Sequence, residues 1–323
     1  MEYVEHVSNL GTELRAPGYE RGDRPFLDPH MEDGKLRFFY GQVADICWNC
    51  PSRRLIGLVA GDCSSSTSST FRSTIIIKDR PLTLNMSELV QMGNFPRSKL
   101  PSSTFDTASS YYQMFAETKL VHLSTQRNDA VESEEDCCRK YVARQLFRRL
   151  ASTSRLSNSN SNNSNTPDTD TGPPFKLFCD DLRPTNILLD ENIRIVAVIY
   201  WEYSYVAPAE FTYSPPWWLL LEMPEEWPRG ISDWIATYQP RLETFLEVLR
   251  AREDAAIQDG TLTEAQRLSG RMQESWETGD FWISYGARKS WAFDTFRPLV
   301  DRTFFVGARV SRSGLDCSVV RRG

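Results

Sequence analysis

Between Phe175 and Phe211 the chain reads FKLFCDDLRPTNILLDENIRIVAVIYWEYSYVAPAEF, and this order of residues limits the local fold more than any other stretch. Phe175 to Phe178 read as a short strand, Cys179 to Asn186 as a loop of acids and amides, and Ile187 to Ile199 as a tight hairpin. The hairpin follows from two apolar runs, Ile187-Leu188-Leu189 and Ile193 to Ile199, separated by the turn formers Asp190-Glu191-Asn192. Asp181 and Asn186 are therefore expected on a loop that leads into a rigid element, and the residues after Ile199 read as aromatics and prolines.

Such a loop suits phosphoryl transfer, where an aspartate orients or deprotonates an attacking hydroxyl and an asparagine of the same loop coordinates magnesium. The D-x-x-x-x-N spacing from Asp181 to Asn186 is the spacing of a kinase catalytic loop. Asp and Asn also favour loops for their local backbone hydrogen bonds. The Leu182-Arg183-Pro184 filling and the hairpin behind it add weight to the chemical reading.

On these residues, CDDLRPTNILLD followed by VIYWEYSYVAPAEF, the chain resembles the aminoglycoside phosphotransferase and choline kinase family in its fungal branch. The stretch TFDTASSYYQMFAETKLVHLSTQRNDAVESEEDC extends the likeness beyond the loop. That family writes the two segments as H-G-D-L-x-P-x-N and I-D-W-E. The resemblance implies an α+β fold, a protein-kinase-like C-terminal lobe that is mainly helical with a small catalytic β-hairpin. It implies ATP and Mg2+ as cofactors and a small-molecule hydroxyl as acceptor.

Matched position by position, the resemblance makes Asp181 the catalytic aspartate and Asn186 a magnesium ligand. Cys179 stands where the family often has histidine. Tyr200 stands where the second magnesium-binding aspartate is expected, and a phenol with a pKa near 10 is neutral at pH 7. Glu202, of the same strand parity as Tyr200, is the candidate to replace that ligand; Asp180 is the other acid at hand. Met1, Glu2 and Tyr3 correspond to the segment that borders the adenine, so the small N-terminal lobe of the fold is expected to be missing. Lys78, after Ile75-Ile76-Ile77, reads as an exposed strand-end lysine and does not replace the phosphate-pairing one. Transfer is expected to be weak or lost, with an inactive relative of the fold or a product of a longer gene as alternatives.

Composition narrows the classes. The 323 residues are 40% hydrophobic and 12% aromatic, enough for a sizeable core. A formal net charge of -6 disfavours a nucleic-acid-binding surface. No apolar run reaches eighteen residues, so no membrane span is expected, and the acidic start MEYVEHVSNL does not read as a leader. Seven scattered cysteines without such a leader are expected to be reduced thiols of a cytoplasmic protein. Cys47-Trp48-Asn49-Cys50 has no second pair and no nearby histidine to make a zinc set.

Apolar periodicity predicts helices over Met31 to Cys47, Met86 to Met92 with Asn85 as its cap, Thr107 to Leu123, and about Glu132 to Leu150. Acids early and Arg144, Arg148 and Arg149 late in the last of these complement the helix dipole. Trp234 to Leu249 predicts two helices, or one kinked at Pro240, and Leu262 to Trp276 and Phe281 to Phe296 complete a helical end. Gly61 to Thr74 and Ser152 to Pro174 are Ser/Thr/Asn-rich and aperiodic. The organisation expected is one lobe over 1-305 carrying an insert at 152-174, and an irregular tail over 306-323; a domain boundary near the insert is the alternative. The block Pro215-Pro216-Trp217-Trp218 reads as a buried packing anchor rather than a substrate platform.

Overall fold

The computed structural model describes residues 4–20, 22–52, 79–126, 131–152, 175–290 and 292–294. Lys78, most of the insert, the tail and Met1 to Tyr3 lie outside the described residues. The described part is α+β, mainly helical, with two small antiparallel sheets. One continuous apolar core runs from Leu10 to Phe293.

The strands are β1 (Ser8–Asn9), β2 (Phe175–Cys179), β3 (Ile187–Leu189), β4 (Ile195–Val198) and β5 (Ser204–Pro208). One sheet has the order β1-β3-β4, and β2 pairs with β5 in a second. The hairpin read from the sequence is β3 and β4, with Ile187 opposite Val198. Its turn is fastened from outside, because the Gln42 amide accepts from Ile195 N–H at 2.8 Å and donates to Ile193 C=O at 3.2 Å. β5 is a strand the sequence reading left among aromatics and prolines. Its five residues are too short for a clear alternation, and its identity comes from pairing with β2.

The helices are α1 (Leu10–Leu14), α2 (Asp33–Ser52), α3 (Leu84–Gln91), α4 (Ala108–Thr125), α5 (Glu134–Ser152), α6 (Ala209–Tyr213), α7 (Ile231–Gln258), α8 (Ser269–Thr278) and α9 (Asp280–Arg288). Pro240 does not divide α7. Trp234, Tyr238, Leu242, Phe245 and Leu249 recur every three or four residues and are all buried. Five such side chains, at about 2 kcal/mol each, outweigh the roughly 3 kcal/mol cost of an internal proline. That face lies along α2, where Tyr40 meets Phe245 edge-on at 5.6 Å, and it stacks Trp234 on Tyr238 at 4.3 Å.

Two helix starts correct the sequence reading. Thr83, not Asn85, caps α3 by accepting from Met86 N–H at 3.1 Å; Asn85 is buried and accepts from Ser290 N–H across the fold. The predicted helix from Leu262 begins instead at Ser269, because Glu253 on α7 is fully buried and takes the first amides of α8. Leu268 N–H donates to its carboxylate at 2.6 Å and the Ser269 hydroxyl at 2.5 Å. The capping is long-range and leaves no mark in local spacing. Gly279, at φ +83°, then separates α8 from α9. At Cys138 the expectation of reduced thiols fails, since this residue is disulfide-bonded, whereas Cys137 and Cys179 are free. No described helix is long and apolar enough to cross a membrane.

α4 and α5 pack side by side around cationic groups. Arg144 holds Asp294 through both terminal nitrogens, at 2.6 and 3.2 Å, and donates to Lys119 C=O at 3.1 Å. Lys119 is itself buried, its ammonium 4.7 Å from the Phe293 ring centre. Burial, and then these two cations, push the His122 imidazole down to about 4.

Two outcomes are expected. A histidine near 6.5 when unfolded and about 4 when folded is neutral in the fold, so its contribution is complete above pH 6.5 and is lost as pH falls toward 4. Denaturant titrations should therefore show about 3 kcal/mol lost over that interval, and His122→Leu should flatten this part of the profile. Glu253→Ala should cost about 3 kcal/mol in the same measurement at pH 7, because it strips a buried cap from the α8 amides.

Candidate functional site

The acid and amide loop is pinned at both ends by backbone pairing. On one side Cys179 pairs with Ser204, and Asp180 N–H donates to Tyr203 C=O at 3.1 Å. On the other, Ile187 pairs with Val198, and Ile199 N–H donates to Asn186 C=O at 2.9 Å. Residues 180–186 and 199–203 consequently face one another as two short spans between fixed ladders. The loop's last turn, Pro184–Asn186, starts with the fixed φ of proline and lies under α1. Gly11 allows that approach: a Cβ there would stand 3.1 Å from Thr185 Cγ2 and 3.3 Å from its N.

The structure brings Asp181 and Asn186 together. Asn186 Nδ2 donates to Asp181 C=O at 2.7 Å and to Asp181 Oδ2 at 3.0 Å, both buried contacts. Asp181 Oδ1 is paired with Arg183 Nε at 3.0 Å. Among the described residues, Asn186 Oδ1 meets only the Thr185 hydroxyl, at 3.4 Å. The asparagine therefore offers one oxygen to a ligand, while each carboxylate oxygen of Asp181 already has a partner.

Tyr200 and Glu202 behave differently. Tyr200 sits at φ +64°, ψ +53°, left-handed backbone, and is 54% exposed. Asp and Asn tolerate that conformation far better than a bulky aromatic does, so the backbone at this position would suit an Asp or Asn better than Tyr. Trp201 follows, its indole N–H donating to Val198 C=O at 2.7 Å. Glu202 is exposed in the next turn. No cluster of three His, Cys, Asp or Glu side chains with metal-site geometry occurs among the described residues. Magnesium needs several hard oxygens in near-octahedral array. One amide oxygen, a phenol, and a carboxylate that holds a guanidinium do not compose such a site as they stand.

Behind the loop lies a second group that spacing alone does not reveal. The Asp180 side chain is buried, and burial raises its pKa against the opposing pull of Arg288 and Lys289. Arg288, on α9, places Nη1 3.7 Å from Asp180 Oδ1 and lies over the rings of Phe178 and Phe211, at 4.8 and 5.2 Å. Glu88 of α3 joins this field; burial raises its pKa, and Lys289 opposes that. Burial likewise pushes up the Cys179 thiol, which keeps it protonated and unsuited to nucleophilic work. Asp180 and Arg288 open onto a cavity of about 90 Å³ lined also by Leu182, Ser214, Trp217 and Trp218. Trp218 is core, as the anchor reading expects, whereas Trp217 is half-buried on the cavity wall.

No family model matches the sequence, and neither a curated protein nor a solved structure matches it. Of the residues expected at a site, Asp181 and Asn186 are joined and Glu202 stands apart in solvent; Met1, Glu2 and Tyr3 lie outside the described residues. Glu88 and Arg288 were not foreseen, since they reach the loop from helices distant in the sequence.

The left-handed backbone at Tyr200 leads to a stability test. Tyr200→Asn should raise stability by about 1 kcal/mol, read as an increased denaturant midpoint with an unchanged slope. A loss of stability would mean that the aromatic ring contributes more packing than its exposure implies.

Proposed function

We propose that this chain is a protein-kinase-like lobe of the aminoglycoside phosphotransferase type in which ATP-dependent phosphorylation of a small-molecule hydroxyl is weak or lost. The observation that carries this reading is the Asp181–Asn186 contact across a D-x-x-x-x-N loop, formed opposite a span where Tyr200 replaces an acid. In such a reaction the aspartate orients the acceptor hydroxyl and takes its proton, while metal and nucleotide carry the charge that develops on the phosphoryl group. Here Asp181 Oδ2 is oriented by Asn186, and Arg183 neutralises Oδ1. The guanidinium at that distance engages a carboxylate oxygen that a metal or an acceptor hydroxyl would otherwise use.

Where the resemblance implies a metal-binding carboxylate, the phenol of Tyr200 would supply no negative charge to a metal held by Asn186. Losing several kcal/mol of charge stabilisation corresponds to a rate reduction of roughly a thousandfold or more. The exposed Tyr200 and Trp201, 54% and 39% accessible, favour a second reading in which the loop face serves as an interaction surface of an inactive family member.

Phosphate transfer from ATP to aminoglycosides and amino alcohols, measured with and without magnesium, separates the cases. The expected result is turnover equal to that of Asp181→Asn, and no magnesium-dependent rise in Tm with ATP. Tyr200→Asp alone is expected to stay at the same background, because Asp181 remains engaged by Arg183. Magnesium-dependent turnover near the roughly 10 s⁻¹ of an ordinary enzyme, abolished by Asp181→Asn, would overturn the proposal.

A further inference from the structure

The cavity behind the loop has a chemistry of its own, independent of whether the loop transfers phosphate. Its walls are apolar and aromatic over Phe178, Phe211, Pro216 and Trp217, and only a few polar groups interrupt them. Asp180 and Arg288 are the opposite charges among these. At 3.7 Å their nearest atoms are beyond hydrogen-bonding distance, so the pair is stretched rather than closed. Arg288 Nε donates to Ser284 C=O at 3.1 Å, and the guanidinium face rests on two phenyl rings. Its terminal nitrogens make no hydrogen bond among the described residues.

A further observation points the same way. Ser214 lines the cavity, and its hydroxyl oxygen is buried without a hydrogen-bond partner among the described residues. Buried polar atoms in native proteins are rarely left unmet, and those at a pocket are commonly met by a ligand or a water. The site thus combines a stretched ion pair, an unsatisfied hydroxyl and an aromatic wall, the pattern of a small-molecule pocket with a few orienting polar groups.

Charge decides which small molecule. A simple carboxylate would satisfy Arg288 and sit against the Asp180 carboxyl; a simple amine would do the reverse. A ligand carrying an ammonium and a carboxylate on one carbon satisfies each side chain with its opposite and brings no net charge into a buried site. We propose that this cavity binds a free α-amino acid with an apolar side chain, its ammonium on Asp180, its carboxylate on Arg288, and its side chain along Trp217 and the prolines. The cavity, about 90 Å³, is smaller than the roughly 150 Å³ that holds a benzene ring, so it takes the charged head and a short stem.

Isothermal titration of the full-length protein with L-leucine, 4-methylpentanoate and 3-methylbutylamine tests this. The expected result is saturable binding of leucine at micromolar to millimolar concentration, with the acid and the amine each at least tenfold weaker. Asp180→Asn and Arg288→Gln should each weaken leucine at least tenfold, with far-UV circular dichroism and Tm confirming that each variant is folded. If Arg288→Gln fails to fold, Asp180→Asn together with the acid and amine comparison decides the matter. Absence of leucine binding at ten millimolar, or equal binding of the acid or the amine alone, would overturn the proposal.

Discussion

Two small antiparallel sheets, of three and two strands, hold the candidate site together. A two-stranded ribbon in water is marginal at best. Here β2 with β5, and the β1-β3-β4 sheet, persist because helices cover them and Gln42 of α2 clamps the hairpin turn. Between the ladders the chain has only seven residues on one side, 180–186, and five on the other, 199–203. Spans that short cannot wander, so Asp181 meets Asn186, and Tyr200 takes the left-handed backbone that the register leaves it.

The helical framework is built to tolerate locally unfavourable features. Pro240 stays inside α7 because the buried stripe on either side of it is worth more than the lost hydrogen bond. Buried charges follow the same logic: Glu253 is kept by the amides and hydroxyl that surround it, and Arg144 by Asp294. Removing one partner of such a set costs more than the set contributes, which makes these positions sensitive although they lie far from the loop.

The loop and the cavity behind it share Asp180 and Leu182 as a common wall, yet they differ in chemistry. On the loop, Asp181 is drawn into local pairs with Arg183 and Asn186, and little of its charge is left for a metal. In the cavity, Asp180 and Arg288 are buried and stand 3.7 Å apart, with Leu84 and Tyr205 also beside the Asp180 carboxyl. Adjacent residues in one dipeptide thus serve opposite roles, because consecutive side chains leaving a strand end point to opposite sides.

Local patterning was enough to read much of this from the chain. The hairpin, the D-x-x-x-x-N pair and the apolar stripes of α2, α4, α5 and α7 were all legible, since each depends on neighbours a few residues apart. Helix ends were read less well where a distant group sets them: Glu253 starts α8, and Asn85 caps nothing because Ser290 uses it. β5 was hidden because five residues show a strand only when a partner strand is present. The departure at Tyr200 was written in the sequence, but its left-handed backbone was not. The meeting of Asp180 with Arg288, 108 positions apart, is a product of tertiary packing alone, since no local rule brings the end of β2 to α9.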